Sequence, residues 1–391
     1  MSLKCLLLFQ LILLSWTHNQ GKSVKLSKKQ AHHKHHKSQK FLDSIMDVNE
    51  DSIELLLQKH ENFYLAEMTV GQPEQKLTVL IDTGSPNLLL TSSLCQQNSC
   101  IQHGSYNPSL STTSYYIEAI KLANGEVGNE IDIQFASGSV VGVFFEDRVC
   151  LNQYCVNNQF IVGIVEQTED IFSQMKFDGI LGLGRIKEAV VKNASYIHNL
   201  EYDTDTRNFS LYLSNRDDDD MSSELVLGGI SQHLIAPGEE FKFFDVTSDN
   251  LWTVNIKAVF LGDERIDDCN NCQGLIDSGT SFISFPVYAM EKFYQKFGVY
   301  QLCSNIDSFP DLTFILDRGI KFTLTGSQYF KRNTHALFSK DICIPYIKNN
   351  PIIGDELIVL GQPFLIHHYV WFDEDQSKIG IVKSKQQSHQ S

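Results

Sequence analysis

Short apolar or β-branched runs, bounded by Gly, Asn, Asp or Ser, recur along most of the chain. Runs of this length and composition predict β-strands. The predicted strands are Tyr64–Val70, Leu77–Ile81, Glu130–Phe135, Val140–Phe145, Phe160–Val165, Leu211–Leu213, Leu225–Leu227, Leu251–Val259, Ile283–Phe285, Leu312–Ile315, Lys321–Leu324 and Ile358–Leu360. A helical spacing of apolar residues occurs in Pro286–Phe297, which is followed by Gly298, and more weakly in Glu188–Ile197. The pattern therefore predicts a mainly β fold.

The first residues of the chain have a different pattern. Lys4 precedes the apolar run Cys5–Leu14, which is typical of a secretory signal peptide, and we predict that this signal covers residues 1–20. Ten residues are too few to span a bilayer, which takes about 20. No later run is long enough, and residues 386–391 form a polar tail without a lipid-anchor or KDEL-type signal. We therefore expect a protein of the secretory pathway with no membrane anchor.

A four-residue sequence occurs twice in the chain. Asp82-Thr83-Gly84-Ser85 recurs as Asp277-Ser278-Gly279-Thr280, and each copy follows an apolar run. An apolar-apolar-Gly triplet follows each copy downstream, at 180–182 and 359–361. One copy alone could be a simple turn, since all of its residue types favour turns. The duplicated context instead predicts two similar lobes, which we assign to residues 60–213 and 214–385.

The repeat places one aspartate of each lobe on a glycine-bounded turn. If the two turns meet, Asp82 and Asp277 come within about 3 Å, and both carboxylates cannot be ionised together. One pKa is then expected to fall and the other to rise, so that the pair shares one proton. Such a pair can activate a water with one carboxyl group and protonate with the other. This chemistry hydrolyses an amide without a metal or any other cofactor.

The residues that follow each aspartate suit this arrangement. The glycine has no Cβ and allows a close approach. The hydroxyl residue directly after each aspartate can hydrogen-bond to the partner turn, and the hydroxyl residue three positions after it can donate to the outer carboxylate oxygen. These supporting residues are Thr83, Gly84, Ser85, Ser278, Gly279 and Thr280.

With these two motifs the chain resembles the pepsin-like (A1) aspartic proteases, from about Phe63 to Val382. Further segments that match the family pattern are Phe63–Leu65, Thr69–Pro73, Tyr106–Ser109, Phe177–Gly184, Leu360–Leu365 and Trp371–Asp373. The resemblance implies a bilobal fold of two β-barrel lobes, with a cleft between them and a hairpin flap over the cleft. It also implies an endopeptidase that cuts peptides and proteins at acidic pH.

The resemblance further implies which residues contact a substrate. The flap corresponds to residues 134–142. An apolar pocket beside the two aspartates is expected to favour large hydrophobic residues at the cut bond. The flap and pocket residues are Leu80, Leu89, Phe135, Ser137, Gly138, Phe177 and Ile180.

Two positions near the flap depart from the family pattern. The family usually has Tyr-Gly where this chain has Phe135-Ala136, and it usually has Trp where this chain has Leu89. Because both polar partners are absent together, no buried donor is left unpaired. We hypothesise that Phe135 packs on Leu89 and closes the flap by apolar contact. The alternative is that Phe135 only fills an apolar gap.

Eight cysteines follow the predicted signal, and an even number in a secreted chain indicates disulfides. The spacing of Cys269 and Cys272 also fits a zinc or redox site, although no second CxxC accompanies it. The resemblance implies that Cys95–Cys100, Cys269–Cys272 and Cys303–Cys343 are family disulfides. Cys150–Cys155 has no family counterpart, and we interpret it as an additional staple of a hairpin.

Charge is distributed unevenly along the chain. The formal net charge is −15, but residues 22–42 contain seven lysines and no acidic residue. Residues 61–391 contain 23 basic and 42 acidic residues, which argues against a nucleic-acid binder. We predict that residues 21–59 are a basic propeptide, whereas composition alone also fits a disordered tail or a histidine-rich metal-binding tract. Asp217–Asp220 is expected to be a solvated turn rather than a calcium site.

Two functions remain open on the sequence. One is an active acid endopeptidase, and the other is a catalytically silent relative that binds peptides or glycans. The complete aspartate motifs favour the enzyme, acting as a monomer on peptide and protein substrates. The sequons at Asn193 and Asn208 are candidate glycosylation sites. We expect the product to be secreted or kept in an acidic vacuole or lysosome.

Overall fold

The structure is a computed structural model that describes residues 53–60, 63–122, 125, 127–135, 138–191, 194–200, 207–215, 222–267, 272–298, 301–333, 342–349 and 354–386. The remaining residues are outside its description. They include the predicted signal peptide, most of the predicted propeptide, Ser137, Asn193, Asp217–Asp220 and Cys269.

The described residues are mainly in strands, as predicted. The strands are β1 (Ile53–His60), β2 (Phe63–Val70), β3 (Gln75–Asp82), β4 (Leu88–Thr91), β5 (Tyr115–Ile117), β6 (Ile120–Lys121), β7 (Val127–Gly128), β8 (Glu130–Gln134), β9 (Ser139–Leu151), β10 (Tyr154–Gln167), β11 (Gly179–Gly182), β12 (Asn208–Tyr212), β13 (Ser223–Leu227), β14 (Lys242–Asp245), β15 (Thr253–Leu261), β16 (Glu264–Arg265), β17 (Cys272–Ile276), β18 (Ile283–Phe285), β19 (Gln301–Leu302), β20 (Leu312–Leu316), β21 (Lys321–Leu324), β22 (Phe330–Asn333), β23 (Ile342–Pro345), β24 (Ile347–Asn349), β25 (Leu357–Leu360), β26 (His368–Asp373) and β27 (Lys378–Lys383). Every predicted strand overlaps one of these.

Helices are short and few among the described residues. The α-helices are α1 (Asn98–Ile101), α2 (Glu169–Phe172), α3 (Tyr196–Asn199), α4 (Val287–Phe297), α5 (Gly326–Tyr329) and α6 (Gln362–His367). Short 3-10 helices cover Pro108–Leu110, Ile186–Glu188, Gln232–Leu234, Cys303–Ser308 and Asp317–Gly319. Helix α4 confirms the predicted helix: Pro286 is its N-cap and Gly298, with φ at 65°, ends it.

The predicted helix over Glu188–Ile197 is wrong. Residues 189–191 are not helical, and the short helix α3 begins only at Tyr196. Ala189, Val190 and Val191 are consecutive and all buried, so they do not form one apolar face of a helix. The backbone N–H of Val190 instead donates to Oδ1 of Asn87 at 2.9 Å. Tertiary burial has therefore overridden the weak helical spacing.

Two large sheets build the molecule within the described residues. A 14-stranded sheet follows the order β14-β27-β26-β12-β13-β1-β2-β3-β11-β4-β10-β9-β5, with β8 paired to β9. An eight-stranded sheet in the C-terminal half follows the order β21-β20-β15-β17-β25-β18-β24, with β16 paired to β15. The first sheet continues from the N-terminal lobe into strands of the second half, so it joins the two lobes. The bilobal β fold is thereby confirmed.

Strand β1 is the link within the larger sheet. It pairs antiparallel with β13 from Ile53 to Leu57 and with β2 from Gln58 to His60. The strand therefore crosses the predicted boundary between residues 59 and 60. Its position between β13 and β2 makes it part of the sheet rather than a loose connection.

The apolar core runs through both lobes. Trp252 is buried between Phe209 and Phe372, with ring centroids at 6.1 and 5.2 Å. Its Nε1 donates to the carbonyl oxygen of Leu183 at 2.9 Å, which ties the C-terminal half to the end of β11. The guanidinium of Arg185 lies 5.3 Å from the centre of the same ring. These contacts hold the two lobes in one arrangement at the base of the molecule.

Three disulfides are present among the described residues. They join Cys95 to Cys100, Cys150 to Cys155 and Cys303 to Cys343. Cys150 and Cys155 are directly opposite in the β9–β10 hairpin, as the interpretation of a hairpin staple required. Cys272 is also disulfide-bonded, and its expected partner lies outside the described residues.

Candidate active site

The two aspartates occupy equivalent places at the ends of parallel strand pairs. Asp82 is the last residue of β3, which pairs in parallel with β11. Asp277 directly follows β17, which pairs in parallel with β25. The apolar-apolar-Gly triplets lie on β11 and β25, so each triplet supports the strand that leads into its aspartate. The internal repeat in the sequence is therefore a repeat in three dimensions.

Hydrogen bonds between the two turns bring the aspartates together. The backbone N–H of Thr83 donates to Oγ of Ser278 at 3.0 Å, and the N–H of Ser278 donates to Oγ1 of Thr83 at 3.0 Å. The same two hydroxyls donate to carbonyl oxygens of the opposite lobe, at Ile276 (2.9 Å) and Ile81 (2.8 Å). Each lobe thus satisfies buried backbone groups of the other, which sets the register of the two turns.

Each carboxyl group is also held within its own turn. The N–H of Gly84 donates to Oδ1 of Asp82 at 2.8 Å, and the N–H of Gly279 donates to Oδ1 of Asp277 at 2.9 Å. The second oxygen, Oδ2, of each carboxyl group accepts a hydrogen bond from a hydroxyl group. Ser85 donates to Asp82 and Thr280 donates to Asp277, each at 2.5 Å. The four supporting hydroxyl residues and both glycines therefore lie where the sequence predicted.

The glycines of the two turns permit the close approach of the opposite carboxyl groups. A Cβ on Gly84 would lie 2.7 Å from Oδ1 of Asp277, and a Cβ on Gly279 would lie 2.5 Å from Oδ1 of Asp82. Real Cβ atoms do not approach other atoms this closely, so any larger residue at either position would separate the pair.

Burial raises the pKa of both aspartates above the usual range. The charge of Asp277 raises the pKa of Asp82 further, whereas hydrogen bonds from Ser85 and Gly84 oppose the rise. Hydrogen bonds from Thr280 and Gly279 oppose the rise at Asp277. The prediction that one pKa falls is therefore wrong for this structure, because both groups are buried and desolvation penalises either charge.

The sequence also matches a model of a known protein family. The model described as Eukaryotic aspartyl protease matches residues 63–384. The chain belongs to this family. It is an aspartic-type endopeptidase, a hydrolase that acts on peptide substrates.

Curated relatives of this protease cover most of its length. Cathepsin D from Gallus gallus is 30% identical over 359 residues, which is 88% of this chain and 86% of the relative. Cathepsin D from Chionodraco hamatus is 28% identical over 364 residues, covering 90% and 88%. Gastricsin from Rattus norvegicus is 28% identical over 333 residues, covering 82% and 81%.

The segment predicted to be the flap forms the β8–β9 hairpin, whose described tip residues are Phe135 and Gly138. The N–H of Phe135 donates to the carbonyl oxygen of Gly138 at 2.7 Å. Next to the tip, Oγ1 of Thr168 accepts from the N–H of Ser139, the first residue of β9, at 2.9 Å. The Phe135 ring meets Phe172 of α2 edge-on, with centroids 6.5 Å apart. The described aromatic partner of Phe135 is therefore Phe172, a residue that the sequence did not single out.

The predicted pocket residues of the protease lie in one apolar cluster of the N-terminal lobe. Leu80, Leu89, Phe177 and Ile180 are all buried in it, and Phe135 packs against it. A small hollow of about 10 Å³ opens beside these residues and is lined in part by Phe172, Met175, Phe177 and Ile180. The cluster therefore brings these five predicted residues together, and Leu80 places it two residues before Asp82 on β3.

Asp178 has a supporting role that sequence reasoning missed. Its carboxylate accepts hydrogen bonds from the N–H of Thr78 (2.8 Å) and of Gly104 (2.7 Å). Its carbonyl oxygen accepts from the N–H of Thr91. It therefore joins β3, β4 and the loop after α1 behind the pocket. Its place beside Phe177 in the matched segment was the available signal.

The candidate glycosylation site at Asn208 disagrees with the structure. Asn208 is 8% exposed in β12, between β13 and β26. Its Oδ1 accepts from Nε1 of Trp371 at 3.3 Å, and Ser210 of the same sequon is buried. A glycan on this side chain has no space in the folded sheet.

Neither a metal cluster nor a membrane helix occurs in the part of the chain that the structure describes. No group of three or more His, Cys, Asp or Glu side chains there is placed to hold a metal ion. None of the helices described has the length and apolar content for a bilayer crossing.

Proposed function

We propose that Asp82 and Asp277 together hydrolyse peptide bonds by activating a water molecule between them. One observation carries this proposal: two buried carboxyl groups are in contact, and each is held by a glycine N–H and a hydroxyl of its own turn. The hydroxyls leave the inner side of the pair free for a water and a carbonyl group. This geometry fits general acid and base catalysis by one pair.

The two carboxyl groups divide the work by sharing one proton. The ionised carboxylate takes a proton from the water as the oxygen attacks the peptide carbonyl carbon. The protonated carboxyl donates its proton to the carbonyl oxygen. The proton taken from the water then goes to the leaving nitrogen as the C–N bond breaks. At the same time a hydroxyl of the tetrahedral intermediate returns its proton to the other carboxylate as the C=O bond re-forms, so the pair again holds one proton.

The raised pKa values set the working range at acidic pH. Because burial and mutual repulsion favour the neutral forms, the pair keeps its shared proton as pH falls from neutrality. Activity is lost at higher pH when the last proton leaves, and at very low pH when both groups are protonated. The expected profile is therefore bell-shaped with its maximum on the acidic side.

The apolar cluster supports a preference for large hydrophobic residues at the cut bond. Leu80, Phe177 and Ile180 give this side of the pair an apolar surface, and Phe135 covers it from the flap. A hydrophobic side chain that leaves water for this surface contributes about 1.5–3 kcal/mol. A charged side chain at the same place would lose its hydration without a partner.

Cleavage of a quenched peptide library at pH 3–6, with and without pepstatin, tests the proposal. We expect pepstatin-sensitive cleavage that falls by at least about a thousandfold in Asp82→Asn. Asp263→Asn, which changes an exposed aspartate on a turn, is the matched control and should retain activity. Pepstatin-resistant cleavage, or equal cleavage by Asp82→Asn, would contradict the proposed mechanism.

The second candidate, a silent binding protein, is favoured only by the flap. Phe135 and Leu89 replace two polar groups of the family pattern. If the library is not cut and labelled peptides still bind, the chain is a binding relative. The complete hydrogen-bond set around both aspartates supports the enzyme instead.

We also infer an inactive precursor in an acidic branch of the secretory pathway. The basic segment 21–59 would pair with the acidic body at neutral pH. As pH falls, carboxylates protonate and the histidines among the lysines become charged, so the attraction weakens. The disulfides fit an oxidising compartment. We propose a monomer as the working form.

A further inference from the structure

Two lysines and two aromatic rings form a row on the C-terminal lobe. The Nζ of Lys348 lies 3.6 Å from the ring centre of Phe282. The rings of Phe282 and Tyr346 are 6.0 Å apart, and the Nζ of Lys331 lies 5.5 Å from the ring centre of Tyr346. We call these four residues the lysine–aromatic row. Both rings are half-buried and both lysines are exposed, so the row is open at the surface.

The row lies next to the turn that carries Asp277. Phe282 is two residues beyond Thr280, whose hydroxyl holds the carboxyl group of Asp277. Two residues span at most about 7 Å of chain. The N–H of Ile283 donates to the carbonyl oxygen of Tyr346 at 2.9 Å, which fixes the second ring beside the first. The backbone around Asp277 therefore also positions the row.

The equivalent position in the other lobe has a different role. Phe282 is five residues after Asp277, and Asn87 is five residues after Asp82. Asn87 is buried and its Oδ1 accepts from the N–H of Val190. A structural residue thus stands in one lobe where a half-exposed ring stands in the other. Because the other lobe has no ring at this position, the shared fold of the two lobes does not require Phe282. Its exposed face can therefore contact a ligand.

The charge of the row contrasts with that of the body around it. Some lysines elsewhere form ion pairs with carboxylates, as in the pairs Lys76–Glu67 and Lys378–Asp245. Within the described residues, neither Lys331 nor Lys348 has a carboxylate partner in an ion pair. An ammonium on a ring face is held by cation–π attraction and keeps hydrogen-bond donors for another group. The row therefore offers two positive charges beside an apolar surface.

We propose that the lysine–aromatic row is a subsite that selects an acidic side chain of the peptide substrate. The methylene groups of a glutamate would lie on Phe282 and Tyr346, and its carboxylate would accept from Lys348 or Lys331. Since an extended peptide advances about 3.3 Å per residue, this side chain lies two to four residues from the cut bond. The inference rests on the proposed function and adds a charge preference to its hydrophobic one.

Matched peptides test the subsite directly. A peptide with fixed large hydrophobic residues at the cut bond is prepared with Glu, Gln or Lys at each position two to four residues away. The assay is run at pH 5.5, above the ordinary glutamate pKa of about 4.3. At one position we expect kcat/KM for Glu to exceed that for Gln by about two- to fivefold, the range of an exposed ion pair, with Lys lowest.

Variants assign the preference to the row. In Lys331→Gln/Lys348→Gln the Glu and Gln peptides should be cut equally, and in Lys331→Glu/Lys348→Glu the Lys peptide should become the best substrate. Lys321→Gln is the control, because Lys321 is exposed on β21 at the opposite edge of the same sheet from β24. It should keep the wild-type preference. An unchanged Glu preference in the double Gln variant, or no preference at any position in the wild type, would overturn the subsite.

Binding separates this inference from the proposed function. Fluorescence anisotropy of the same labelled peptides on Asp82→Asn reports the Glu-to-Gln ratio without cleavage. If no peptide is cut but the ratio is present and depends on the two lysines, the subsite holds and the catalytic proposal fails. If peptides are cut with Asp82 dependence but the ratio is absent in both assays, the catalytic proposal holds and the subsite fails.

Discussion

At the scale of single residues, the hydroxyls of Ser85 and Thr280 decide how the buried pair titrates. Each donates a 2.5 Å hydrogen bond to one aspartate, and such a bond stabilises the ionised form. They therefore counteract desolvation, which is the largest cause of the raised pKa at both aspartates. Without them the pair would hold its protons to a higher pH.

Ser85→Ala provides a test with a defined sign. Removing the hydroxyl destabilises ionised Asp82, so the pKa of the pair rises and the alkaline limb of the kcat/KM profile moves to higher pH. The shift should be about one pH unit, since a hydrogen bond to a charged group contributes about 1.5–3 kcal/mol, part of which water replaces. Ser85→Thr keeps the hydroxyl and should leave the limb in place. A limb that moves to lower pH in Ser85→Ala would contradict this role.

At the scale of elements, the flap hairpin depends on packing against its own lobe. Thr168 holds Ser139 just after the tip of the hairpin, and Phe172 meets the ring of Phe135 just before it. Gly138 lies close to both, since a Cβ there would be 3.1 Å from Thr168. The flap therefore rests on α2 and on the residue before it, by apolar contact and backbone hydrogen bonds.

Substitutions of Phe135 measure how this contact contributes. Phe135→Ala removes the edge-on contact with Phe172, which is worth about 1 kcal/mol, so kcat/KM should fall about fivefold. Phe135→Leu keeps apolar volume and should fall less. Phe135→Tyr should change kcat by less than about tenfold. A rise of several hundredfold in kcat for Phe135→Tyr would show that the native flap is not competent.

At the scale of the whole molecule, acidification has opposing effects on stability. Burial lowers the pKa of His367 to about 4 and that of His368 to about 3, so the unfolded chain binds these protons more readily and stability is lost as pH falls below about 6.5. Burial raises the pKa of Asp373 to about 6, so folding gains stability as pH falls from about 6 towards 4. The raised pKa values of Asp82 and Asp277 act in the same direction as that of Asp373.

His368 offers a direct measure of the unfavourable contribution. Its ring stacks on Phe364 at 4.3 Å and meets Phe322 edge-on at 5.1 Å. In the Asp82→Asn background, which prevents self-digestion, His368→Gln should destabilise less at pH 4 than at pH 7. The loss of unfolding free energy caused by His368→Gln should shrink, relative to its value at pH 7, by about 1.4 kcal/mol for each pH unit below 6.5. Urea unfolding at both pH values measures it. Phe144→Leu, at a buried position in the N-terminal lobe, is the uncharged control whose cost should stay constant.

The position of β1 changes where we expect the propeptide to end. A cut between residues 59 and 60 would remove the strand that joins β13 to β2, with its five paired positions on β13 and three on β2. Losing these backbone hydrogen bonds would open the larger sheet at its centre. We therefore propose that the segment removed by acid ends before Ile53 rather than at residue 59.

N-terminal sequencing of acid-treated protein checks this boundary. We expect a new N-terminus between residues 43 and 53, after the lysine-rich stretch that ends at Lys40. A chain that still begins near residue 21 would exclude an acid-released propeptide. A chain that begins at residue 60 would support the original boundary and show that the sheet tolerates the loss of β1.

Much of the local structure was predictable because short segments of the sequence indicate strands and turns by their residue types alone. The repeated Asp-hydroxyl-Gly motifs located both aspartates, and bounded apolar runs located strands such as β3 and β18. The false helix over Glu188–Ile197 shows the limit, since the burial of Val190 against Asn87 outweighed a weak spacing. The contact between Phe135 and Phe172 could not be predicted from the sequence either. The two residues are 37 positions apart, and the β9–β10 hairpin between them brings them together.

The sequence by itself determined the class of fold, the duplication into two lobes and the positions of the two aspartate motifs, because each depends on residues that are close together in the chain. Only the tertiary structure decided that both aspartates have raised pKa values, since desolvation depends on what covers them. It alone also placed Lys331 and Lys348 on the two rings beside Asp277. Contacts between residues far apart in the chain depend on how the sheets pack, and no local pattern records them.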